Sequence, residues 1–348
     1  MKGRTLPKMF YLVCVILFLI ILFFKMLTFE DAEIPGWEFN VSRNLKDYID
    51  KDKETATIIP KDFCDKPSFL LIICISSPTG FEARRVIRNT WGRDRRIMGH
   101  SVSLYFLLGQ TTDLDVQKNI TEESLQNKDI VQENFYDSYN NLTLKSAMML
   151  KLFTLRCQNK VNYLLKIDDD IYLNLPKLVD DLMTRNQTEN LLMGSVICGS
   201  RPIRTYGDKW YAGPSYLFPY DVYPSYISGT SYCMSGDVAH KLLQAALITP
   251  IFHLEDVYLT GICAKKIVLN LTHNARFTFH YLKRNYCLFR QLITIHYQDP
   301  ESIQKDFDAS QDRQVDKRCQ TEGDMFLVHK WFMENVFMIS KTRRKHCP

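Results

Sequence analysis

A chain of 348 residues, 46% hydrophobic and 24% charged, has room for one large domain or two small ones and the composition of a globular protein. Its net charge of +5 is not gathered into a basic stripe, which argues against a nucleic-acid-binding role. The densest basic run, Lys341 to Lys345, sits at the chain end, where like charges are ordinarily solvated.

In chain order, residues 1–8 carry Lys2, Arg4 and Lys8. An unbroken apolar run follows from Met9 to Phe24, continued past Lys25 by Met26, Leu27 and Phe29. About 20 apolar residues cross a bilayer at 1.5 Å per residue. Lys25 can snorkel to the headgroups. The basic flank favours the cytosol, so residues 9–29 read as a membrane anchor with the rest of the chain translocated. The apolar core is long for a cleaved signal peptide, and no small-x-small cleavage site follows it. Residues 30–62 read as a polar stem broken by Pro35 and Pro60, and a lumenal body is expected over 63–348.

Asn-x-Ser/Thr sequons at Asn40, Asn119, Asn141, Asn186 and Asn270 agree with a lumenal body, each weakly on its own. Of ten cysteines, Cys14 lies in the apolar run and Cys74 in a strand. The other eight are candidates for disulfides in an oxidising compartment. No CxxC pair occurs, which argues against structural zinc.

The body opens with Phe69 to Ile75, continuously apolar and therefore read as a strand buried on both faces. Phe81 to Trp91 reads as a helix bearing Arg84, Arg85 and Arg88. Strands are expected over Val102 to Leu108, Asp129 to Gln132 and Tyr163 to Ile167. Between the last two, Asn141 to Cys157 has apolar residues at helical spacing. Alternating strands and helices imply an α/β sheet. Trp210 to Tyr232 reads as loops with short strands, Val238 to Ala246 and Val257 to Ala264 as helices, and Arg276 to Tyr281 as a strand containing His280.

In open α/β sheets ligands bind beyond the carboxyl ends of the strands. Lys166-Ile167-Asp168-Asp169-Asp170 stands there. Oxygen ligands suit hard divalent ions, and one imidazole, for which His280 is the candidate, shifts the preference towards Mn²⁺. A helix N-cap is the plain alternative for the aspartates. Glu255-Asp256 opens the next helix, either as a cap or as a general base. Trp210 with Tyr211, and Tyr223 to Tyr226, suit sugar stacking or ordinary packing. Arg84 and Arg88 are candidates to clamp a diphosphate, or else form a solvated helix face.

Taken in order, these segments resemble the Golgi β-1,3-glycosyltransferases, a family that includes β-1,3-galactosyltransferases and β-1,3-N-acetylglucosaminyltransferases. The resemblance rests on Arg84 to Gly92, Phe106 to Gly109, Phe135 to Lys145, Lys166 to Asn174, Arg201 to Arg204, Lys209 to Tyr211, Tyr223 to Gly229 and Glu255 to Tyr258, and covers roughly 64–300. It implies a GT-A fold, with a Rossmann-like nucleotide half and an acceptor half, in a single-pass type II protein of the Golgi membrane. It also implies a UDP-sugar donor, an acceptor glycan on glycoprotein or glycolipid, Mn²⁺ and inversion at the anomeric carbon.

Carried over by position, Asp170 is the expected metal ligand, with His280 as the second. Asp256 is the expected base. Lys166, Asp168, Asp169, Arg84, Arg88, Trp210 and Glu255 are expected around the donor. Galactose is the leading sugar, with N-acetylglucosamine or N-acetylgalactosamine as alternatives. An inactive membrane lectin or chaperone on the same fold is the alternative of another class. Tyr172 in place of Phe, Ser231 in place of Gly, and the extra residue in Leu259-Thr260-Gly261 depart from the family pattern.

Overall fold

The computed structural model describes residues 10, 11, 13–18, 42–213, 218–296 and 298–319. Chain contacts divide it into two units, Met1–Val41 with Pro202–Tyr220, and Ser42–Arg201 with Asp221–Pro348. In the first unit, Phe10, Tyr11 and residues 13–18 are helical and exposed. Among the described residues no helix is long and apolar enough to cross a membrane. The rest of the expected anchor, the tail over 1–8, residues 30–41 with Asn40, and Lys341 to Lys345 lie outside the described residues. The segment from Pro202 closes on itself. Ala212 N–H donates to the Ile203 carbonyl at 2.8 Å, and the Arg204 guanidinium donates to the Gly213 carbonyl at 2.9 Å.

The second unit is built on a twisted sheet. Its strands are β1 (Ser68–Ile75), β2 (Arg96–Ile97), β3 (His100–Gln110), β4 (Ile130–Tyr136), β5 (Val161–Asp168), β7 (Leu192–Ile197), β8 (Tyr226–Ser235) and β9 (Thr272–His273). The order is β2-β3-β1-β5-β8-β7-β9, with β4 on β3. Strands β6 (Tyr172–Leu173) and β10 (Thr294–Ile295) form a separate two-residue ladder.

β1 pairs in parallel with both β3 and β5, and β4 in parallel with β3. That is the Rossmann-like half the apolar runs imply, since a strand covered on both faces by helices has no polar face. β8 runs antiparallel to β5 and β7. Its first seven residues fall where loops with short strands are expected. Ser228, Gly229 and Ser231 carry little strand propensity, and the pairing of Tyr232, Cys233 and Met234 on both sides holds the strand together.

Helix α1 (Phe81–Asn89) follows β1, α2 (Leu114–Asn127) follows β3, and α3 (Leu142–Leu152) follows β4. Asp113 Oδ1 accepts from the N–H groups of Asp115 and Val116, capping α2. Every side chain of α3 from Thr143 to Leu152 is buried, Lys145 and Lys151 included, and the helix widens into a π turn over Phe153–Cys157. Helices α4 (Leu175–Arg185), α5 (Gly236–Ala246) and α6 (Pro300–Gln311) complete the cover. The expected strand over Arg276 to Tyr281 is only a single bridge between Phe277 and Thr294.

Residues 42–62, expected as stem, pack on the body. Leu45 is fully buried, Thr57 N–H donates to the Gln132 carbonyl at 2.7 Å, and Ile251 N–H donates to the Arg43 carbonyl at 2.8 Å. Cys64 is bonded to Cys157 and Cys287 to Cys319, and Cys198 is also disulfide-bonded. Cys233 and Cys263, counted among the bridge candidates, are free thiols in the interior. Of the sequons, Asn119, Asn186 and Asn270 are exposed, whereas Asn141 heads α3 with its amide donating to the Tyr136 carbonyl at 2.9 Å.

Candidate active site

The site begins where β1 and β5 end. Their register sets Ile75 beside Asp168, so the turns Ser76–Gly80 and Asp168–Asp170 leave the sheet as neighbours. A Cβ at Gly80 would stand 2.7 Å from Ser76 Oγ and 3.0 Å from Asp169 Oδ2, so only glycine fits that approach. Lys145 on α3 donates to the Ser76 carbonyl and to Asp137 Oδ2, both at 2.7 Å, and Gly109 N–H donates to the same Asp137 oxygen at 2.7 Å. The segment from Phe135 to Lys145 thus braces the floor beneath the aspartates.

Two residues after the triplet, β6 pairs with β10, Ile295 opposite Tyr172. Continuing that antiparallel register by one step carries His296 back towards Asp170. His296 Nε2 lies 3.3 Å from Asp170 Oδ2, its Nδ1 lies 2.9 Å from the Phe279 carbonyl, and Gln298 N–H donates to the Asp170 carbonyl at 2.9 Å. Burial works against a proton on His296, but the Asp170 carboxylate outweighs it and the imidazole pKa is raised. His296 is the residue sequence reasoning missed. His280, the expected imidazole, is exposed and stacks at 3.8 Å between ring centroids on Phe279.

On the other side stand Glu255 and Asp256. Asp256 Oδ2 accepts from Gly229 N–H at 3.0 Å and Oδ1 from Val257 N–H at 2.8 Å. Burial lifts its pKa, and the two backbone donors hold it back. Glu255 Oε1 accepts from the Tyr232 hydroxyl at 2.5 Å. Burial, opposed by Lys166 and reinforced by Asp256, pushes Glu255 up to about 7. Both carboxylates crowd Gly229, where a Cβ would meet Asp256 Oδ2 and Glu255 Oε2 at 3.3 Å each.

Lys166 lies between the two acidic groups. It is 2% exposed, donates to Asp168 Oδ1 at 2.5 Å, and also donates to the Gly229 carbonyl. Burial pushes Asp168 up to about 6 against the pull of Lys166, with Asp170 adding to the rise.

The remaining expected residues are placed differently. Arg84 is fully buried, and its guanidinium donates to Glu123 Oε2 at 2.7 Å, Ser76 Oγ at 3.0 Å and the Ser77 carbonyl at 2.6 Å. Arg88 donates to Glu123 Oε1 at 2.6 Å and to Asp129 Oδ2 at 2.8 Å. These arginines are neither a solvated face nor open forks; they tie α1 to α2 and to Asp129, just before β4. Trp210 belongs to the first unit, half-exposed, with the Lys209 ammonium 5.8 Å from its ring centroid.

A divalent ion would find Asp170 Oδ1 buried without a hydrogen-bond partner, and His296 beside its other oxygen. Among the described residues no group of three His, Cys, Asp or Glu side chains closes on a common point. A small ligand set of that kind suits an ion held largely through a diphosphate.

The family model for galactosyltransferases matches residues 82–275 of the chain. The chain is 36% identical over 245 residues to human beta-1,3-galactosyltransferase 1, which is 70% of this chain and 74% of that protein. It is 32% identical over 256 residues to human beta-1,3-galactosyltransferase 5, covering 73% of this chain and 82% of the other. A solved 4-diphosphocytidyl-2C-methyl-D-erythritol synthase from Anaerococcus prevotii DSM 20548 overlaps 60% of this chain and 86% of its own, at 14% identity and a TM-score of 0.33.

Proposed function

The chain belongs to the galactosyltransferase family and is a glycosyltransferase; from that premise we propose that it moves galactose from UDP-galactose to the 3-hydroxyl of an acceptor glycan. The linkage formed is β-1,3, with inversion at the anomeric carbon, on a glycoprotein or glycolipid. The observation that supports this reading best is the pairing of Asp256, oriented by two backbone N–H groups, with the triplet Asp168–Asp170 across one buried lysine.

Asp256 is the general base. It takes the proton of the acceptor hydroxyl as that oxygen attacks C1 of the sugar. Its two backbone partners fix the carboxylate's orientation, which is what an in-line displacement needs. Raised by burial, the carboxyl sits closer to neutrality than a solvated aspartate, where a base is more effective. Glu255, held to the Tyr232 hydroxyl, supports Asp256 from the adjoining position.

Asp170 and His296 are the residues that would hold Mn²⁺. When bound, such an ion supplies Lewis-acid neutralisation of charge on the departing diphosphate. Asp168 and Asp169 flank the donor. The apolar run over 9–29 anchors the protein in the Golgi membrane as a single-pass type II chain, with the catalytic body lumenal.

The test is sugar transfer by the full chain in detergent, offered UDP-galactose, UDP-N-acetylglucosamine and UDP-N-acetylgalactosamine in turn. A panel of β-linked acceptors is used, with and without Mn²⁺. Metal-dependent transfer from UDP-galactose alone is expected. Transfer from an N-acetylhexosamine donor instead would overturn the sugar, and failure to bind UDP at all would overturn the reading.

A further inference from the structure

Lys166 projects from β5, where it pairs with Tyr232 of β8, and its ammonium is enclosed. A lysine has three N–H donors and no acceptor. One donor meets Asp168 Oδ1 at 2.5 Å, and another meets the carbonyl of Gly229. The ammonium also lies 5.9 Å from the Tyr232 ring centroid. Gly229 in turn uses its N–H to hold Asp256 Oδ2 at 3.0 Å. A single glycine is therefore gripped on its carbonyl side by Lys166 and grips Asp256 on its amide side.

We infer that Lys166 is a positioning residue that fixes the donor-side carboxylate Asp168 and the acceptor-side carboxylate Asp256 at one spacing. The inference rests on the reading of Asp256 as the base. Its chemistry requires a compact cation. An arginine is a wide planar fork, unsuited to a point between one carboxylate and one carbonyl. A neutral side chain leaves Asp168 without its buried partner and frees the Gly229 carbonyl. A side chain at 229 would crowd the same group, because Asp256 Cβ and Glu255 Oε2 stand 3.2 and 3.3 Å from where a Cβ would be.

The groups facing Asp256 are Lys166 on β5, Glu255 beside it, and Tyr226 on β8, whose phenol burial pushes up to about 12 and so keeps neutral. Lys166 is the cation that favours the ionised form of Asp256. Removing that charge raises the apparent pKa of the base.

The experiment is steady-state transfer by Lys166→Met and Lys166→Arg across pH 5 to 9, with UDP affinity measured on the same preparations. Lys166→Met is expected to lower kcat by about 30-fold or more and to move the acid limb of kcat/KM up by roughly half a unit to one unit. Lys166→Arg is expected to lower kcat but to leave that limb in place, because it keeps the charge and loses the fit. A Lys166→Met protein that binds UDP, yet keeps both kcat and the acid limb of the parent, overturns the inference. Where Lys166→Met does not fold, Lys166→Arg decides: full kcat overturns the inference, and a reduced kcat on an unmoved limb supports it. Asp256→Asn separates the two claims. If it stays active, the base assignment fails; if it is inactive while both Lys166 variants behave as the parent, only the positioning role fails.

Discussion

His296 Nε2 faces Asp170 Oδ2 across 3.3 Å, joined by a ladder only two residues long. The aspartate's other oxygen is buried without a hydrogen-bond partner, which leaves it a lone pair for a cation. His296→Ala is therefore expected to weaken Mn²⁺-dependent UDP binding by about tenfold or more, and Asp170→Ala by at least as much. His280→Ala is expected to stay within about twofold. Titration calorimetry with and without Mn²⁺ checks this, and a larger loss from His280→Ala would return the imidazole role to that residue.

Asp256→Asn preserves the acceptance of one backbone N–H but cannot take a proton. Transfer is expected to fall by about 10²- to 10⁴-fold, the usual contribution of a general base. UDP affinity should remain within about threefold. A parallel loss of UDP binding would move Asp256 from acceptor chemistry to donor binding.

Lys151 and Glu133 form an ion pair at 3.1 Å with neither side chain exposed, and Thr55 hydrogen-bonds to both. Removing one charge strands the other in the interior, at a cost of about 3–5 kcal/mol. Glu133→Gln or Lys151→Met alone should show that loss in denaturant unfolding. The double replacement, Glu133→Leu with Lys151→Met, should recover most of it. A double-variant loss equal to the sum of the two single losses would mean that the charges contribute individually rather than as a pair.

Asp306 on α6 is pushed up to about 6 by burial, against the pull of Arg284 at 3.0 Å. The folded pKa lies above the unfolded one, so the folded state holds the proton more tightly. The stabilising contribution is full below about pH 4 and is lost as pH rises through about 6. The difference of roughly two units corresponds to at most about 3 kcal/mol. Asp306→Asn should flatten the fall in stability between pH 4 and 7, measured by thermal unfolding across that range. An unchanged slope would assign the fall to other groups.

The donor half was legible because its strands are apolar on both faces, a pattern that survives without any knowledge of neighbours. Ile72, Cys74, Leu165 and Ile167 are all fully buried. The acidic groups were legible because three carboxylates at a strand exit, and two more at a helix start, gain nothing from packing. His296 was not legible. It follows a two-residue strand, too short to carry a period, and only the pairing of Ile295 with Tyr172 brings it to Asp170. The ion-pair partners of Arg84 and Arg88 were not legible for a related reason, since Glu123 and Asp129 approach them through tertiary structure rather than helical spacing. β8 was obscured by its own serines and glycine, residues of low strand propensity.

The bond between Cys64 and Cys157 joins residues 93 apart in sequence, and β1, β3 and β4 all lie inside that loop. Chain-entropy reasoning assigns such a closure about 4–5 kcal/mol, comparable to the whole margin by which many domains stay folded. Maturation of the nucleotide-binding half is thereby coupled to the redox state of the compartment in which the chain is made. A reducing cytosol would deliver the same polypeptide with its acidic triplet intact and the scaffold behind it unfastened.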